Sequence, residues 1–155
     1  MAPKFVVFAI VLALAPLGCA QMGTPAPGAA SAASCTPSNC RVVVTVAGDC
    51  SNANNISVNI DPLPVPREHH NLKIAWDIQT PGFKWVPAPN GITFVTSPIP
   101  PAGEFTNPHD NGDKYDITDA NTQTVPTSFK YDIHLMRSNG SLCAVKDPSI
   151  RNGSS

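Results

Sequence analysis

Apolar and polar residues alternate along several segments of this chain. Segments 72–78 (LKIAWDI) and 129–135 (FKYDIHL) carry an apolar residue at every second position, and segment 56–60 (ISVNI) does the same. A period of two is typical of half-buried strands, which turn one face toward a core and the other toward water. Shorter runs rich in β-branched residues lie at 41–46 and 92–95. These five segments are the predicted strands of a sheet protein.

Short turn signals separate the predicted strands. Proline, glycine, asparagine and aspartate make up these signals, at 47–49, 81–82, 89–91, 111–113 and 139–140. Their spacing predicts an all-β fold, a single Greek-key β-sandwich of seven to eight short antiparallel strands. The 17 prolines are spread along the chain. They argue against long helices, because an interior proline removes a hydrogen bond and clashes with the preceding turn.

The two strongest alternating segments also predict the core. Ile74 and Trp76 of one segment should be buried together with Tyr131 and Ile133 of the other, between two sheets. Trp85 precedes a proline-rich loop, where an aromatic ring with a polar N–H can contact a partner. Structural packing is the favoured interpretation for both tryptophans.

The beginning of the chain predicts where the protein is found. Lys4 precedes an apolar run at 5–15, and small residues follow at 18–20. This order of charge, apolar core and small residues is typical of an export signal. The run is too short for a transmembrane helix, which needs about 18 or more apolar residues. The sequence therefore predicts a signal peptide at 1–20.

Two processing routes remain open at this signal. Signal peptidase I can cleave after Ala20, because the residues on either side of Cys19 are small. Alternatively, Cys19 becomes a lipidated first residue, since LGCA at 17–20 resembles a bacterial lipobox with Pro16 in place of the usual leucine.

An Ala-, Pro-, Gly- and Ser-rich segment follows the signal. Residues 21–39 are predicted to form a flexible tether, because such a composition buries too little apolar surface to fold. The folded domain is predicted at 40–153. The expected location is the periplasm or cell envelope, as a lipoprotein, or the secreted fraction. Membrane contact is expected only through a lipid anchor at Cys19.

Four cysteines belong to the folded part of the chain once Cys19 is assigned to the signal. An even number in an oxidising compartment predicts up to two disulfides, with three possible pairings. Zinc is disfavoured, because the paired two-residue spacing of zinc knuckles is missing. Cys143 is expected to pair with one of the other three and so to tie the C-terminal end to the N-terminal strands. The candidates are Cys35, Cys40, Cys50 and Cys143.

Charge and motif content exclude several function classes. Without Lys4, 9 of the 10 basic residues remain against 11 acidic ones, and the basic residues are not clustered. Nucleic acid and anionic membrane surfaces are therefore poor partners. No nucleophile elbow, metalloprotease motif or phosphate loop is present, and neither Glu68 nor Glu104 is paired with a carboxylate at a recognisable spacing. No catalytic residue is predicted, and the protein is not expected to be an enzyme.

One loop offers a weak alternative for a divalent cation. His109 and Asp110 lie beside an acidic turn that contains Asp113, and oxygen-rich loops suit hard cations such as calcium. The spacing of an EF-hand is missing. A solvated loop is the favoured interpretation, and no metal or cofactor is predicted.

Several segments taken in order resemble the strand succession of the cupredoxins. Residues 40–153 are also similar to a family of small exported bacterial β-sandwich proteins, with a shared WDIQTPGF segment at 76–83 and a closing DPSIRN at 147–152. Both resemblances rest on structural motifs, so they imply a fold and not an activity. The cupredoxin-like segments are ISVNIDPLPV at 56–65, IAWDI at 74–78, GITF at 91–94, GEF at 103–105 and FKYDI at 129–133.

The copper ligands of that family are not matched in order. A blue-copper site needs two histidines, a cysteine thiolate and usually a weak methionine ligand. The family resemblance places the cysteine directly after the last of these strands, with a histidine and a methionine following it. Here His134 and Met136 precede Cys143, and no histidine comes after it. A blue-copper site is therefore not predicted.

Two functions of different classes remain. The favoured one is a noncatalytic protein of the cell envelope or the secreted fraction, acting as a binding or structural module for an unknown envelope or extracellular ligand. The alternative is a metal-binding relative of the cupredoxins with a redox or metal-carrier role.

Overall fold

The computed structural model describes residues 34–95 and 97–154. The predicted signal peptide with the lipidation candidate Cys19, and residues 21–33 of the predicted tether, lie outside these ranges. Among the described residues, no helix is long and apolar enough to cross a membrane.

Short strands dominate the described ranges, and the helical part is a single 3-10 turn at Ala53–Asn55. The strands are β1 (Ser34–Thr36), β2 (Asn39–Val46), β3 (Ile56–Val58), β4 (Leu63–Pro66), β5 (Leu72–Ile78), β6 (Phe83–Trp85), β7 (Ile92–Phe94), β8 (Phe105–Asp110), β9 (Lys114–Asp119), β10 (Thr127–Ile133), β11 (Leu135–Arg137) and β12 (Ser149–Ser154).

These strands form two larger sheets and one small one. The six-stranded sheet has the order β1-β2-β5-β9-β8, with β3 also paired to β2, and the four-stranded sheet has the order β4-β12-β10-β7. β11 and β6 form a separate two-stranded sheet. The predicted all-β sandwich is confirmed, and its Greek-key connection stays a prediction.

Two strand pairs are parallel, so the prediction of antiparallel strands is wrong for these pairs. β2 runs parallel to β5, and β12 runs parallel to β4, while the remaining pairs are antiparallel. Alternation correctly located β5 but could not give the direction of its neighbour, because parallel and antiparallel strands share the same side-chain period.

The twelve strands of the described ranges outnumber the seven to eight expected, and one predicted strand is divided in two. Segment 129–135 contains the end of β10 and the start of β11, with His134 between them. The N–H of His134 donates to the carbonyl of Gly91 over 2.9 Å, and its own carbonyl accepts from the N–H of Val86 over 3.0 Å. The backbone therefore changes partners at this residue and passes from the four-stranded sheet to the two-stranded one.

The predicted core is confirmed. Ile74 and Trp76 on β5 and Tyr131 and Ile133 on β10 are all fully buried and belong to one hydrophobic cluster. β5 belongs to the six-stranded sheet and β10 to the four-stranded one. The two strongest alternating segments thus supply the facing sides of the sandwich.

Both disulfides are formed. Cys50 pairs with Cys143 across 93 residues of sequence, which confirms that Cys143 ties the C-terminal part of the domain to its N-terminal part. Cys35 pairs with Cys40, its direct partner across the β1–β2 hairpin. Residues 34–39 of the predicted tether therefore include a strand and a disulfide of the domain.

Candidate functional site

The residues with cupredoxin-like chemistry are engaged in structural contacts. The sulfur of Cys143 is bonded to Cys50, so it does not supply the thiolate that a blue-copper site requires. Nε2 of His134 lies 2.8 Å from the hydroxyl oxygen of Thr93, its neighbour on β7. Met136 lies on β11 opposite Lys84 of β6.

The residues of the weak divalent-cation candidate, His109, Asp110 and Asp113, do not form a three-residue metal-binding group. Across the described ranges, no three His, Cys, Asp or Glu side chains lie together in a way that could hold a metal ion. His109 and Asp110 are consecutive residues of β8, and the carboxylate of Asp110 accepts a hydrogen bond from the N–H of Ala88 over 2.8 Å. Asp113 lies in the following turn and is exposed.

A charged groove lies on the outer face of the six-stranded sheet. Asp77 of β5 is 7% exposed and lies between two cations, Arg41 of β2 and Lys114 of β9. Nε of Arg41 contacts one of its oxygens, and Nζ of Lys114 lies 3.5 Å from the other. The groove has a volume of about 460 Å³ and is completed by Ile78, Gln79, Asn111 and Asp113.

The turn that forms the rim of this groove is fixed by a buried tryptophan. The carbonyl of Asp113 accepts two hydrogen bonds, one from the N–H of Ile78 over 2.8 Å and one from the indole N–H of Trp85 over 3.2 Å. Trp85 itself is 1% exposed and packs on Tyr115 with ring centroids 5.4 Å apart. The favoured structural interpretation of Trp85 is thus confirmed.

A second groove, with a volume of about 380 Å³, follows the edge of the four-stranded sheet. β4 is the edge strand, and its prolines lack the N–H that another strand would need for pairing. Arg151 of the neighbouring β12 lies opposite Pro64. The lining residues are Pro62, Pro64, Pro126, Arg151 and Ser154.

A cluster of acidic and amide side chains joins the two larger sheets inside the protein. Asp119 ends β9 of the six-stranded sheet, and Asn152 lies on β12 of the four-stranded sheet. We call this set the acid–amide cluster: Glu104, Asp119, Asn121, Thr122 and Asn152. Four of these five residues are buried, and Thr122 is exposed.

One amide group connects the two carboxyl groups of the cluster. Nδ2 of Asn152 donates to Oε1 of Glu104 over 2.8 Å and to Oδ1 of Asp119 over 2.9 Å. Thr122 donates to Glu104 from its N–H, at 3.2 and 3.3 Å, and from its hydroxyl, at 2.5 Å. The N–H of Asn121 donates to Oδ1 of Asp119 over 2.9 Å.

Asn121 extends the acid–amide cluster to the loop after β4. Its Nδ2 donates to the carbonyls of Pro66 and His69 over 2.7 and 3.0 Å, and its Oδ1 accepts from the N–H of Gly153 over 3.1 Å. Its backbone has a φ of 48°, a left-handed conformation that asparagine tolerates better than most residues. This one side chain therefore connects three segments.

Burial raises the pKa of Asp119 to about 7, and the nearby charge of Glu104 acts in the same direction. The hydrogen bonds from Asn121 and Asn152 act in the opposite direction, because they favour the charged carboxylate. Desolvation is the largest of these effects. The protonation of Asp119 is therefore coupled to the fold.

Sequence reasoning did not find the charged groove or the acid–amide cluster. In the sequence, Glu104 is a glutamate without a partner at a recognisable spacing, and Asn152 ends the DPSIRN motif. Their contact joins residues 48 positions apart, so no local spacing announces it.

Comparison with protein-family models gives no match for this chain, and comparison with curated protein sequences gives none either.

Proposed function

We propose that this protein is a noncatalytic, exported β-sandwich of the cell envelope or the secreted fraction, and that it acts as a binding module. The order of charge, apolar run and small residues at 1–20 supports export. The two disulfides support an oxidising compartment, because such bonds persist mainly outside the cytosol.

The charged groove is the observation that carries the binding role. It presents two cations and two carboxylates to one space, with the amides of Gln79 and Asn111 beside them. Arg41 and Lys114 remain about half exposed in their pairs with Asp77, with side-chain exposures of 52% and 50%. Their remaining N–H donors can therefore reach a ligand without breaking the fold.

The mixed charge of the groove defines the ligand class. A purely anionic ligand would meet Asp77 and Asp113, and a purely cationic ligand would meet Arg41 and Lys114. A small zwitterion avoids both conflicts, because its carboxylate can contact the guanidinium while its ammonium contacts Asp113. We therefore propose amino acids and short peptides as the ligand class.

Chemical-shift mapping tests this proposal on the mature domain. Titration with a panel of amino acids and dipeptides should shift backbone amide signals around Arg41, Asp77 and Lys114. Arg41→Gln should weaken the binding about tenfold, the factor that corresponds to the loss of roughly 1.4 kcal/mol. Lys130→Gln is the matched control, because Lys130 pairs with Asp147 at the surface and does not line the groove.

The outcomes of this titration are distinct. Shifts confined to the groove, lost with Arg41→Gln and kept with Lys130→Gln, support the proposal. Shifts elsewhere, or no saturable shifts with any member of the panel, contradict it.

Native mass spectrometry after equilibration with copper, zinc or calcium tests the alternative function. A stoichiometric, tightly held metal ion would replace the binding-module proposal with that of a metal-carrying cupredoxin relative.

A further inference from the structure

The acid–amide cluster holds two buried acceptor atoms that have no hydrogen-bond partner among the described residues. They are Oδ2 of Asp119 and Oδ1 of Asn152. The other oxygen of Asp119 already accepts from Nδ2 of Asn152, so these two side chains are in direct contact. Leaving two such acceptors unpaired in the interior is costly, since each has lost its hydrogen bonds to water.

Within the described ranges, no ion pair brings a cation to the carboxylates of the cluster. The ion pairs there use other carboxylates, namely those of Asp77, Asp116 and Asp147. Glu104 and Asp119 are 1% and 0% exposed and share the amide of Asn152. Two full negative charges in this position would repel each other without the compensation that buried charges require.

We propose that Asp119 carries a proton in the folded protein and donates it from Oδ2 to Oδ1 of Asn152, so that the acid–amide cluster is a proton-dependent clasp between the two larger sheets. The proton converts one unpaired acceptor into a donor for the other. Together with the existing bond from Nδ2 of Asn152, it closes a two-bond pair between a carboxylic acid and an amide. A single negative charge, on Glu104, then remains in the cluster.

The clasp makes the stability of the fold depend on pH. The pKa of Asp119 is raised by burial to about 7 in the folded protein, against 3.8 for an ordinary aspartate. The folded state therefore holds the proton more tightly than the unfolded chain does. This stabilisation is complete below about pH 4 and is lost as the pH rises through about 7.

The charged and titratable groups around Asp119 come from several elements. Glu104 shares the amide of Asn152 with Asp119. His69 and His70 lie in the loop after β4, where Nδ1 of His70 is 3.1 Å from the carbonyl oxygen of Asn121. Lys73 of β5 and Asp116 of β9 form an ion pair with each other on the outer face. The variants that test the clasp must therefore distinguish the effect of Asp119 on the pH dependence of stability from the effects of the histidines and of Asp116.

Carboxyl-carbon NMR on the intact mature domain measures the proton directly. The side-chain carboxyl signal of Asp119 should titrate with a midpoint near 7. A midpoint below about 5 for Asp119 would overturn the proposal, whatever the behaviour of any variant.

Unfolding by denaturant across the pH range gives the second measurement. In the wild-type protein, the equilibrium constant for unfolding should rise at least about tenfold between pH 5 and pH 8. Asp119→Asn should remove this rise, because the amide is neutral and can donate to Oδ1 of Asn152 at every pH. Asp116→Asn and the double variant His69→Gln/His70→Gln are the matched controls and should keep it.

Hydrogen exchange shows whether the amides of the clasp follow the protonation of Asp119. The N–H groups of Asn121 and Gly153 are bonded within the cluster, so their protection factors should fall between pH 5 and pH 8. Unchanged protection at these two amides, or a fall that survives in Asp119→Asn, would show that the proton is held elsewhere and would overturn the proposal.

Discussion

The indole N–H of Trp76 donates a hydrogen bond to the hydroxyl oxygen of Tyr131 over 3.1 Å, and the two rings meet edge to face with centroids 5.5 Å apart. Trp76 lies on β5 and Tyr131 on β10, so this contact joins the two larger sheets through the core. Burial raises the pKa of the Tyr131 hydroxyl above that of an ordinary tyrosine, so the hydroxyl is protonated at neutral pH. Between pH 5 and pH 8 the contact therefore keeps one protonation state, unlike the proposed state of the acid–amide cluster.

Truncation of this tryptophan should be strongly destabilising. Trp76→Ala removes one of the two fully buried tryptophan side chains and leaves a cavity between the sheets, so the free energy of unfolding should fall by about 3–5 kcal/mol. Leu142→Ala is the control, because Leu142 is 73% exposed and its loss should change the stability by less than about 0.5 kcal/mol. A loss of under about 1 kcal/mol for Trp76→Ala in denaturant unfolding would contradict the burial of this residue.

The contribution of this hydrogen bond to stability can be measured separately from that of the ring packing. Tyr131→Phe keeps the ring but leaves the indole N–H of Trp76 buried without an acceptor, which should lower the free energy of unfolding by about 1–3 kcal/mol. Trp76→Phe leaves the Tyr131 hydroxyl without that donor. A double-mutant cycle over the two changes should show a coupling energy of at least about 0.5 kcal/mol, and strict additivity would argue against the bond.

The fold could largely be predicted because its signal is local. Alternation located β5 and β10 and selected Trp76 and Tyr131 as core residues, since the side-chain period is a property of each strand alone. The even number of cysteines and the predicted export signal together predicted the disulfides, although the sequence could not select Cys50 from the three possible partners of Cys143. The sequence could not give the strand direction, because the alternation within β5 is the same whether β2 runs parallel or antiparallel to it.

The candidate sites escaped prediction because their signals are not local. The charged groove depends on Arg41, Asp77 and Lys114, which come together only through the register of β2, β5 and β9. The contact between Asp119 and Asn152 spans 33 positions. No spacing in the sequence identifies such groups as neighbours. The structure identifies them, because it shows which of them are buried together.

The two disulfides should differ in their contribution to stability. Replacing Cys50 and Cys143 with alanine opens a loop that spans 93 positions, and chain entropy predicts a loss of about 4–5 kcal/mol. The Cys35/Cys40 double replacement opens a span of only 5 positions, for which the same relation gives about 2 kcal/mol. Equal losses in denaturant unfolding, or a larger loss for the short loop, would contradict an entropic origin.

Gly91 occupies a position where a side chain has no room. A Cβ atom at this position would lie 2.5 Å from the ring of Tyr115 and 2.7 Å from the carbonyl oxygen of Val86. Gly91→Ala should therefore destabilise the domain by about 1–3 kcal/mol through overpacking. Thermal unfolding measures this change, and an unchanged midpoint would show that Tyr115 and Val86 can move apart freely.

Intact-mass analysis with non-reducing peptide mapping, on protein purified from cells under native expression, tests export and disulfide pairing together. We expect a mature chain that begins at Gln21 or at a lipidated Cys19. It also predicts Cys50 linked to Cys143, Cys35 linked to Cys40 and no free thiol in the domain. Retention of Met1 together with free thiols at these four cysteines would contradict the account of an exported, disulfide-tied β-sandwich.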